Sequence, residues 1–508
     1  MAPQIVAVTN GGGDYPAKLT KQVVFCSLIA AFGGLMFGYD IGISGGVTSM
    51  DDFLSKFFPK VYEKKHRAHE DNYCKFDDQL LQLFTSSLYL SAMVCSAVAS
   101  KCCQKFGRKP TMQMAAFFFL VGVVLNAYAV NIYMLIVGRL CLGAGVGFGN
   151  QAVPLFISEI APAKYRGGLN VCFQLLITVG ILIANILNFF TSKIHPYGWR
   201  ISLGGAAVPA IFLGLGSLLI VETPTSLIER GKEEQGLRAL QKIRGVEDVH
   251  KEYHEIQHAV EMAKKVERPF MNLLRSNKPQ LVCGIVLQIC QQLTGINVIM
   301  FYAPVLFQTM GFGGDASLIS AAITGTINSA ATLVAVFGVD KFGRRKLLIQ
   351  AACQMLITQC MTGAILLTYL KSSNAIPMPW PYIVVVLICL FVMGFAWSWG
   401  PLGWLIPSEI FPLETRSAGF CAAVVTNMLF TFLIGQLFLF FLCKLKSVIF
   451  FVFAGFIVLM GAFVVIFLPE TKGVPIDEMN EKVWKKHSFW KDYLPRDDDD
   501  DDVTKECV

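Results

Sequence analysis

Two charged side chains lie inside long apolar stretches of this sequence. Asp40 follows a run that begins near Val23, and Cys26 is the only ionisable side chain between Val23 and Tyr39. Arg139 lies within another such run, in the sequence Val-Gly-Arg-Leu. A charge at the centre of a bilayer costs roughly 3 kcal/mol or more, so it usually has a partner and a function. The residues that follow Asp40 are small or apolar, which argues against the alternative that its carboxylate meets solvent at the end of a span.

Side-chain amides recur in the apolar stretches, where they suit a neutral ligand that carries hydroxyl groups. One planar amide supplies both donors and an acceptor, so it can bind two adjacent hydroxyls. Trp404 offers an aromatic face to the C–H groups of such a ligand, and it follows Gly400-Pro401, where we expect the helix to break. The alternative role of a single amide is a bond between helices, typically worth under ~1 kcal/mol, and we assign it to Asn185 and Gln436. The remaining amides are Gln174, Gln288, Gln291, Gln292, Asn297, Asn328 and Asn427.

The composition places most of the chain in a membrane. Of its 508 residues, 54% are hydrophobic and 16% are charged, whereas soluble proteins carry about 25% charged residues. Apolar segments long enough to cross a bilayer lie near residues 23–43, 80–100, 111–130, 132–153, 169–191, 199–221, 280–309, 316–338, 347–369, 382–406, 418–441 and 447–468. The sequence therefore predicts an all-α membrane protein with these twelve spans.

Lysine and arginine in the short loops predict the orientation, because positively charged loops stay in the cytosol. Loops 101–110 and 339–346 carry four such residues each and follow even-numbered segments, so both termini are expected in the cytosol. Loop 44–79 is expected on the outer side although it has six Lys or Arg residues, which is an exception to this rule. Seven acidic residues in the same loop offset their charge. Within it, Met50–Phe58 shows helical spacing of apolar residues and predicts a short amphipathic helix at the outer mouth.

The chain consists of two halves with repeated motifs. The sequence Ser158–Arg166 returns as Ser408–Arg416, each matching residue 250 positions later. The shorter motifs Phe-Gly-Arg-Lys/Arg and Glu-Thr also recur. Parallel repeats in a membrane carrier place a substrate site between the halves near the midplane. The predicted division is a cytosolic tail 1–22, a six-helix domain 23–221 that includes the outer loop 44–79, a cytosolic helical linker 222–279, a second six-helix domain 280–468 and a cytosolic tail 469–508.

The repeated acidic and basic residues lie at the cytosolic ends of the spans. Ion pairs among them would hold the cytosolic face closed in one state and break in another, which would make them a conformational latch. The alternative is that each one anchors a helix end at the headgroups, but the recurrence of the whole pattern favours the latch. The residues are Arg108, Glu159 and Arg166 in the first half, and Arg344, Glu409 and Arg416 in the second.

Several other kinds of chemistry are not supported. The sequence His254–His258 matches a zinc-protease motif but has no evident third ligand, so we expect no metal site. The glycine-rich sequence Gly143–Gly149 lies inside a span and follows no strand, so it is no dinucleotide loop, and no ATP-binding motif or other cofactor site is predicted. We find no nucleophile–base set outside the spans and expect no enzyme. The net charge of +7 comes from loops beside the spans, so we expect a lipid bilayer and no nucleic acid as partner.

Together these motifs resemble the sugar porter branch of the major facilitator superfamily, and most closely the plant sugar transport proteins, which are proton-coupled monosaccharide symporters. The resemblance runs from about residue 20 to 485 and rests on Gly138-Arg139, Pro154–Arg166, Gln291–Asn297, Gly400–Arg416 and Pro469–Gly473. It implies the major facilitator fold, with two pseudo-symmetric six-helix halves. It also implies alternating access, a hexose substrate similar to glucose, the plasma membrane and function as a monomer.

The resemblance also implies roles for individual residues. It pairs Asp40 with Arg139 as the proton-coupling site. Loss of water disfavours a charged carboxylate and a nearby arginine favours it, so a small rearrangement would move the proton on or off Asp40. The family's facilitative members lack this carboxylate. The sugar-contacting positions that the resemblance selects are Gln174, Gln291, Gln292, Asn297, Asn328, Trp404 and Asn427, most of them in the second half.

Topology places Cys74 and Cys443 on the outer, oxidising side. From the topology alone, a bridge and two free thiols are both open. The resemblance to plant symporters with a lid-like outer loop favours the bridge. The alternative functions are a facilitative sugar or polyol carrier and a sugar sensor that does not transport.

Overall fold

Twelve helical spans form the body of the molecule. The computed structural model describes residues 19–66, 74–162, 165–264, 269–275, 277–309, 313–370, 377, 379–412, 414–472, 474 and 479–493. The spans, numbered 1 to 12 in chain order, are Lys21–Val47, Gln79–Lys105, Arg108–Ala127, Ile132–Ile160, Arg166–Thr191, Gly198–Leu219, Lys278–Gln308, Gly314–Phe342, Arg344–Tyr369, Trp380–Ile410, Arg416–Leu445 and Val448–Phe467. The predicted all-α membrane architecture is confirmed, and no strand occurs in the described ranges. Most of the two predicted tails lies outside the described residues.

Polar residues begin several spans by capping the first free N–H groups of the helix. Thr20 Oγ1 accepts from the N–H of Val23 at the start of span 1. Asp78 Oδ1 accepts from Leu80 and Leu81 at 2.9 and 3.0 Å at the start of span 2. These caps explain why the helices begin next to the predicted apolar segments.

Spans 7 and 10 are each broken into two helices in the middle of the molecule. Span 7 runs from the helix Lys278–Leu293 into the helix Ile296–Thr309, which is kinked at Tyr302. Gly295, between the two, has a φ of +83° that favours glycine. Span 10 consists of Trp380–Ala396 and Trp399–Ile410. The predicted break at Gly400-Pro401 is therefore wrong by a few residues. Proline is tolerated in the first turn of a helix, where its missing N–H has no partner to lose, so the helix begins before Pro401.

The outer loop forms two helices, Asp51–Phe57 and Pro59–His66, where one was expected. They meet at Phe58, because the residue before a proline is disfavoured in the helical conformation. We call these two helices the lid. Phe53 of the lid is fully buried, and its ring centroid lies 5.2 Å from that of Phe84 in span 2 and 5.9 Å from that of Trp199 in span 6. The lid thus packs on the first six spans.

Between spans 6 and 7, the described residues form four short helices. They are Pro224–Glu229, Glu233–Arg244, His250–Lys264 and Pro269–Arg275. Buried apolar residues including Leu240 and Val260 form a small core of their own there.

Spans 1 and 5 approach each other closely through glycines. A Cβ atom on Gly38 would overlap the backbone carbonyl of Ile177, and one on Gly34 would overlap that of Phe173. Small residues permit such close helix packing in membranes.

We predict that Gly38→Val lowers the thermal unfolding temperature of the purified protein, because the new side chain forces spans 1 and 5 apart. Overpacking of this kind costs about 1–3 kcal/mol. The matched control is Gly149→Ala in span 4, where the nearest atom to the new Cβ lies at an ordinary 3.7 Å. Equal unfolding temperatures for the two variants would contradict the close packing.

Candidate functional site

A buried ion pair joins spans 1 and 4. Asp40 is 2% exposed and Arg139 is fully buried. Arg139 Nη1 donates to Asp40 Oδ1, and its Nη2 donates to Ser44 Oγ at 2.6 Å. Ser44 Oγ in turn donates to the backbone carbonyl of Asp40 at 2.8 Å. The two residues predicted as a pair are therefore in direct contact.

Aromatic rings separate this ion pair from the face of the molecule that carries the lid. The guanidinium carbon of Arg139 lies 4.2 Å from the ring centroid of Phe84, a cation–π contact. Phe84 contacts Phe53 of the lid. The lid thus covers the ion pair through two rings, and water reaching Arg139 from this side would have to displace them.

A cavity lined by apolar side chains and side-chain amides lies between the first and the last six spans. The wall of this cavity contains all seven predicted sugar-contacting residues: Gln174, Gln291, Gln292, Asn297, Asn328, Trp404 and Asn427. Sequence reasoning did not select the remaining lining residues, which are Phe37, Ile41, Ile177, Ile181, Ile296, Met300, Phe395 and Thr431. Several of these are spaced one helical turn from another lining residue, as Thr431 is from Asn427, and that spacing was the available signal.

Hydrogen bonds to the broken part of span 10 orient the amides of the cavity. Gln291 Nε2 donates to the carbonyls of Trp399 and Gly400 at 2.9 and 3.1 Å. Asn427 Nδ2 donates to Gln291 Oε1 at 2.7 Å and to Gln288 Oε1 at 2.6 Å. Carbonyls in the first turn of the second helix of span 10 thus fix the orientation of Gln291, which in turn helps to orient Asn427.

Other amides in the cavity keep hydrogen-bonding capacity for a ligand. Asn328 Oδ1 is buried and has no hydrogen-bond partner among the described residues. Its Nδ2 lies 3.6 Å from the sulfur of Met300, which is a weak acceptor. Gln292 Oε1 accepts from Asn297 Nδ2. A buried polar atom without a partner is costly, so a hydroxyl-bearing ligand would be favoured at Asn328.

Two matching ion-pair networks lie at the other end of the spans. Arg108 Nη2 is 2.8 Å from Glu159 Oε1, and Arg344 Nη2 is 2.7 Å from Glu409 Oε1. Thr223 Oγ1 donates to Glu159 at 2.6 Å. The second network repeats this contact from Thr471 to Glu409 at 3.1 Å.

The repeated Glu-Thr motif completes both networks, a role that sequence reasoning did not assign. The carboxylate of Glu222 accepts from the backbone N–H groups at the start of span 3, and that of Glu470 does the same at the start of span 9. The recurrence of Glu-Thr in both halves was the signal that could have found these residues.

The same end of the molecule is closed by contacts between the two sets of six spans. Arg416 lies close enough to Glu159 for their charges to interact, and Arg166 is similarly close to Glu409. Asn170 Nδ2 donates to Ser408 Oγ at 3.0 Å. All six residues predicted for the latch are therefore in or beside the two networks.

A disulfide joins Cys74 to Cys443, as the resemblance implied. Cys443 lies near the end of span 11. The segment that carries the lid is thus bonded covalently to the last six spans, whereas the lid itself packs on the first six.

Sequence comparison agrees with this architecture. The sequence model of the family described as "Sugar (and other) transporter" matches residues 26–483. Sugar transport protein 8 of Arabidopsis thaliana is 61% identical over 499 residues, which are 98% of this chain and 98% of that protein. The chain belongs to the sugar transporter family. Sugar transport protein MST4 of Oryza sativa subsp. japonica is 56% identical over an alignment that includes 96% of this chain and 95% of MST4.

Solved structures show the same fold. The proton:xylose symporter XylE bound to 6-bromo-6-deoxy-D-glucose has a TM-score of 0.79 and 26% identity, covering 91% of this chain and 99% of the symporter chain. The inward open conformation of XylE from E. coli has a lower TM-score of 0.70 at 25% identity, covering 90% and 99% of the two chains. This sugar transporter family member therefore has the predicted major facilitator fold. Its relatives are transport proteins, so it is not an enzyme.

We predict that Arg139→Met destabilises the protein by about 3–5 kcal/mol, because it leaves a carboxylate buried without its partner. The double variant Asp40→Asn/Arg139→Met removes both charges and is expected to recover most of the loss. Thermal unfolding of the purified variants in one detergent measures both effects. A double variant as unstable as Arg139→Met alone would show that the packing of the arginine, and not the charge pairing, matters.

Proposed function

We propose that this protein carries a monosaccharide, a hexose similar to glucose, into the cell together with a proton by alternating access. The observation that carries the proposal is the position of Asp40 in span 1. It binds Arg139 in span 4, while Phe37 and Ile41 of the same helix line the amide cavity. Movement of one helix would therefore affect both sites. The relatives named as sugar transport proteins and the proton:xylose symporter support a sugar and a proton as co-substrates.

Asp40 is proposed to be the proton acceptor. When the protein is open to the outside, protonation neutralises the carboxylate and weakens its contact with Arg139. Spans 1 and 4 are then free to shift, which brings Phe37 and Ile41 against a bound sugar. After sugar leaves on the inside, the ion pair reforms and the proton is released.

The seven amide and aromatic residues in the cavity wall are proposed to bind the sugar. The amides pair with hydroxyl groups as donors and acceptors. The Trp404 ring contacts Phe173 edge to face, with centroids 5.9 Å apart, which fixes its orientation toward the C–H side of a sugar ring. Because six of the seven residues belong to the last six spans, that half is proposed to hold most of the sugar.

The ion-pair networks around Glu159 and Glu409 are proposed to act as the cytosolic latch. Their charges are buried, so they stabilise the closed face only while each remains paired. We propose that residues 23–221 and 280–468 move as two units and that the linker 222–279 joins them. The proposed setting is the plasma membrane, with both termini in the cytosol and the monomer as the working unit. A membrane potential of 100 mV supplies ~2.3 kcal/mol per charge, or roughly fifty-fold accumulation.

We predict that Asp40→Asn abolishes sugar accumulation driven by a pH gradient but retains sugar counterflow exchange. The amide cannot take up a proton, yet it keeps the shape of the side chain. Both activities are measured on proteoliposomes with and without an acidic outer pH. Unchanged gradient-driven accumulation would instead indicate a facilitative carrier, and an absence of counterflow in the unmodified protein would indicate a sensor.

We predict that Gln292→Leu raises the KM for hexose about tenfold, because a sugar hydroxyl loses its partner at a cost of roughly 1–3 kcal/mol. The matched control is Gln436→Leu, an amide that hydrogen-bonds Ser86 and Gln79 away from the cavity wall. Initial rates of uptake over a range of sugar concentrations give both KM values. Similar KM values for the two variants would contradict the assignment of the cavity.

A further inference from the structure

The chain after span 12 folds back under the last six spans. We call residues 479–493 the tail segment. It contains a π-helical turn, Asn480–Trp484, and a 3-10 helix, Trp490–Tyr493, which contacts the first helix of span 7. Trp484 is fully buried, and Trp490 Nε1 donates to the carbonyl of Phe467 at 2.7 Å. Because Phe467 is the last residue of span 12, this bond fixes the tail segment at the end of a membrane span.

Two aromatic rings of the tail segment remain exposed at this level. Phe489 packs against Phe467 with ring centroids 4.8 Å apart, and its ring lies 5.4 Å from that of Tyr493. Phe489 and Tyr493 are nevertheless 37% and 58% exposed. The end of an apolar span marks the boundary between hydrocarbon and headgroups, where amphipathic aromatic side chains such as Tyr are enriched.

The tail segment carries an excess of positive charge. The tail segment has four lysines and two acidic residues. Lys486 and Lys491 are exposed, as are Lys278 at the start of span 7 and Lys346 in the first turn of span 9. Burial and the nearby charge of Arg345 lower the pKa of His487, so the imidazole is largely neutral at cytosolic pH and the lysines carry the charge.

We propose that the tail segment is a docking surface for the anionic headgroups of the cytosolic leaflet. The position decides the occupant, because a segment bonded to the last residue of a span lies at the depth of the headgroups. Clusters of lysine beside a span attract anionic lipids, which are concentrated on the cytosolic side. The exposed rings anchor the segment at the boundary while the lysines bind phosphate and carboxylate groups.

The test uses the full chain in nanodiscs of phosphatidylcholine that contain a trace of dansyl-phosphatidylserine or of dansyl-phosphatidylcholine. Energy transfer from tryptophan, two of which lie in the tail segment, reports how far each labelled lipid is enriched around the protein. We expect enrichment of the anionic lipid for the unmodified chain. The double variant Lys486→Gln/Lys491→Gln should reduce the enrichment of dansyl-phosphatidylserine by about fivefold for each lysine removed. The lower limit is the enrichment measured for dansyl-phosphatidylcholine.

The matched control is Lys232→Gln/Lys264→Gln, which removes two exposed lysines from the linker and should leave the enrichment unchanged. Salt at about 1 M should abolish the enrichment of the anionic lipid around the unmodified chain, because the screening length falls from about 10 Å to 3 Å.

Equal enrichment in the two double variants would overturn the proposal. Enrichment that appears only after deletion of the acidic run 497–502 would also overturn it, since the chain's own aspartates would then be the occupant. The measurement does not involve uptake, so its failure leaves the proposed transport function untouched.

Discussion

The contact between Asp40 and Arg139 is the interaction on which the rest of the structure depends. Each charge is buried, and each would be costly without the other. The pair therefore holds spans 1 and 4 in register, with Ser44 and the ring of Phe84 completing the shell around the guanidinium. In the proposed mechanism, a proton on Asp40 removes the charge on one side only and so changes this balance. Protonation would then affect the packing of spans 1 and 4.

Span 1 makes three kinds of contact on three sides of one helix. Asp40 points to Arg139, while Phe37 and Ile41, one turn apart, line the cavity. Gly38 lies against the backbone of span 5. Residues four apart share a helix face, so a rigid rotation or shift of the helix moves all three sides together. The same rigidity that allows close packing also makes coupling between the two sites possible without a separate relay.

The spans and the candidate site differ in how far the sequence predicts them. Apolar length identifies every span, because a chain in lipid must satisfy its backbone hydrogen bonds within helices. The breaks are harder to predict, as span 10 shows. Pro401 suggests an interruption but fits the first turn of a helix, and only tertiary packing places the break at Trp397 and Ser398.

Which amides line the cavity is also hard to predict from the sequence. Gln288 and Gln291 are alike in sequence, yet Gln291 reaches the cavity wall while Gln288 donates to the carbonyl of Gly403 at 2.5 Å. Resemblance to a family separated them, and residue type alone did not. Contacts between the two halves, such as that of Asn170 with Ser408, join residues 238 positions apart and depend on how the whole chain between them folds. No local pattern carries that information.

The bond between Cys74 and Cys443 limits how far the two sets of six spans can separate at the end that carries the lid. Cys74 lies only five residues before Gln79, the first residue of span 2, and Cys443 lies in span 11. Five residue steps of fully extended chain reach at most roughly 18 Å. Spans 2 and 11 can therefore move apart at this end only by the length of that short connection, whatever free energy is available to drive the movement.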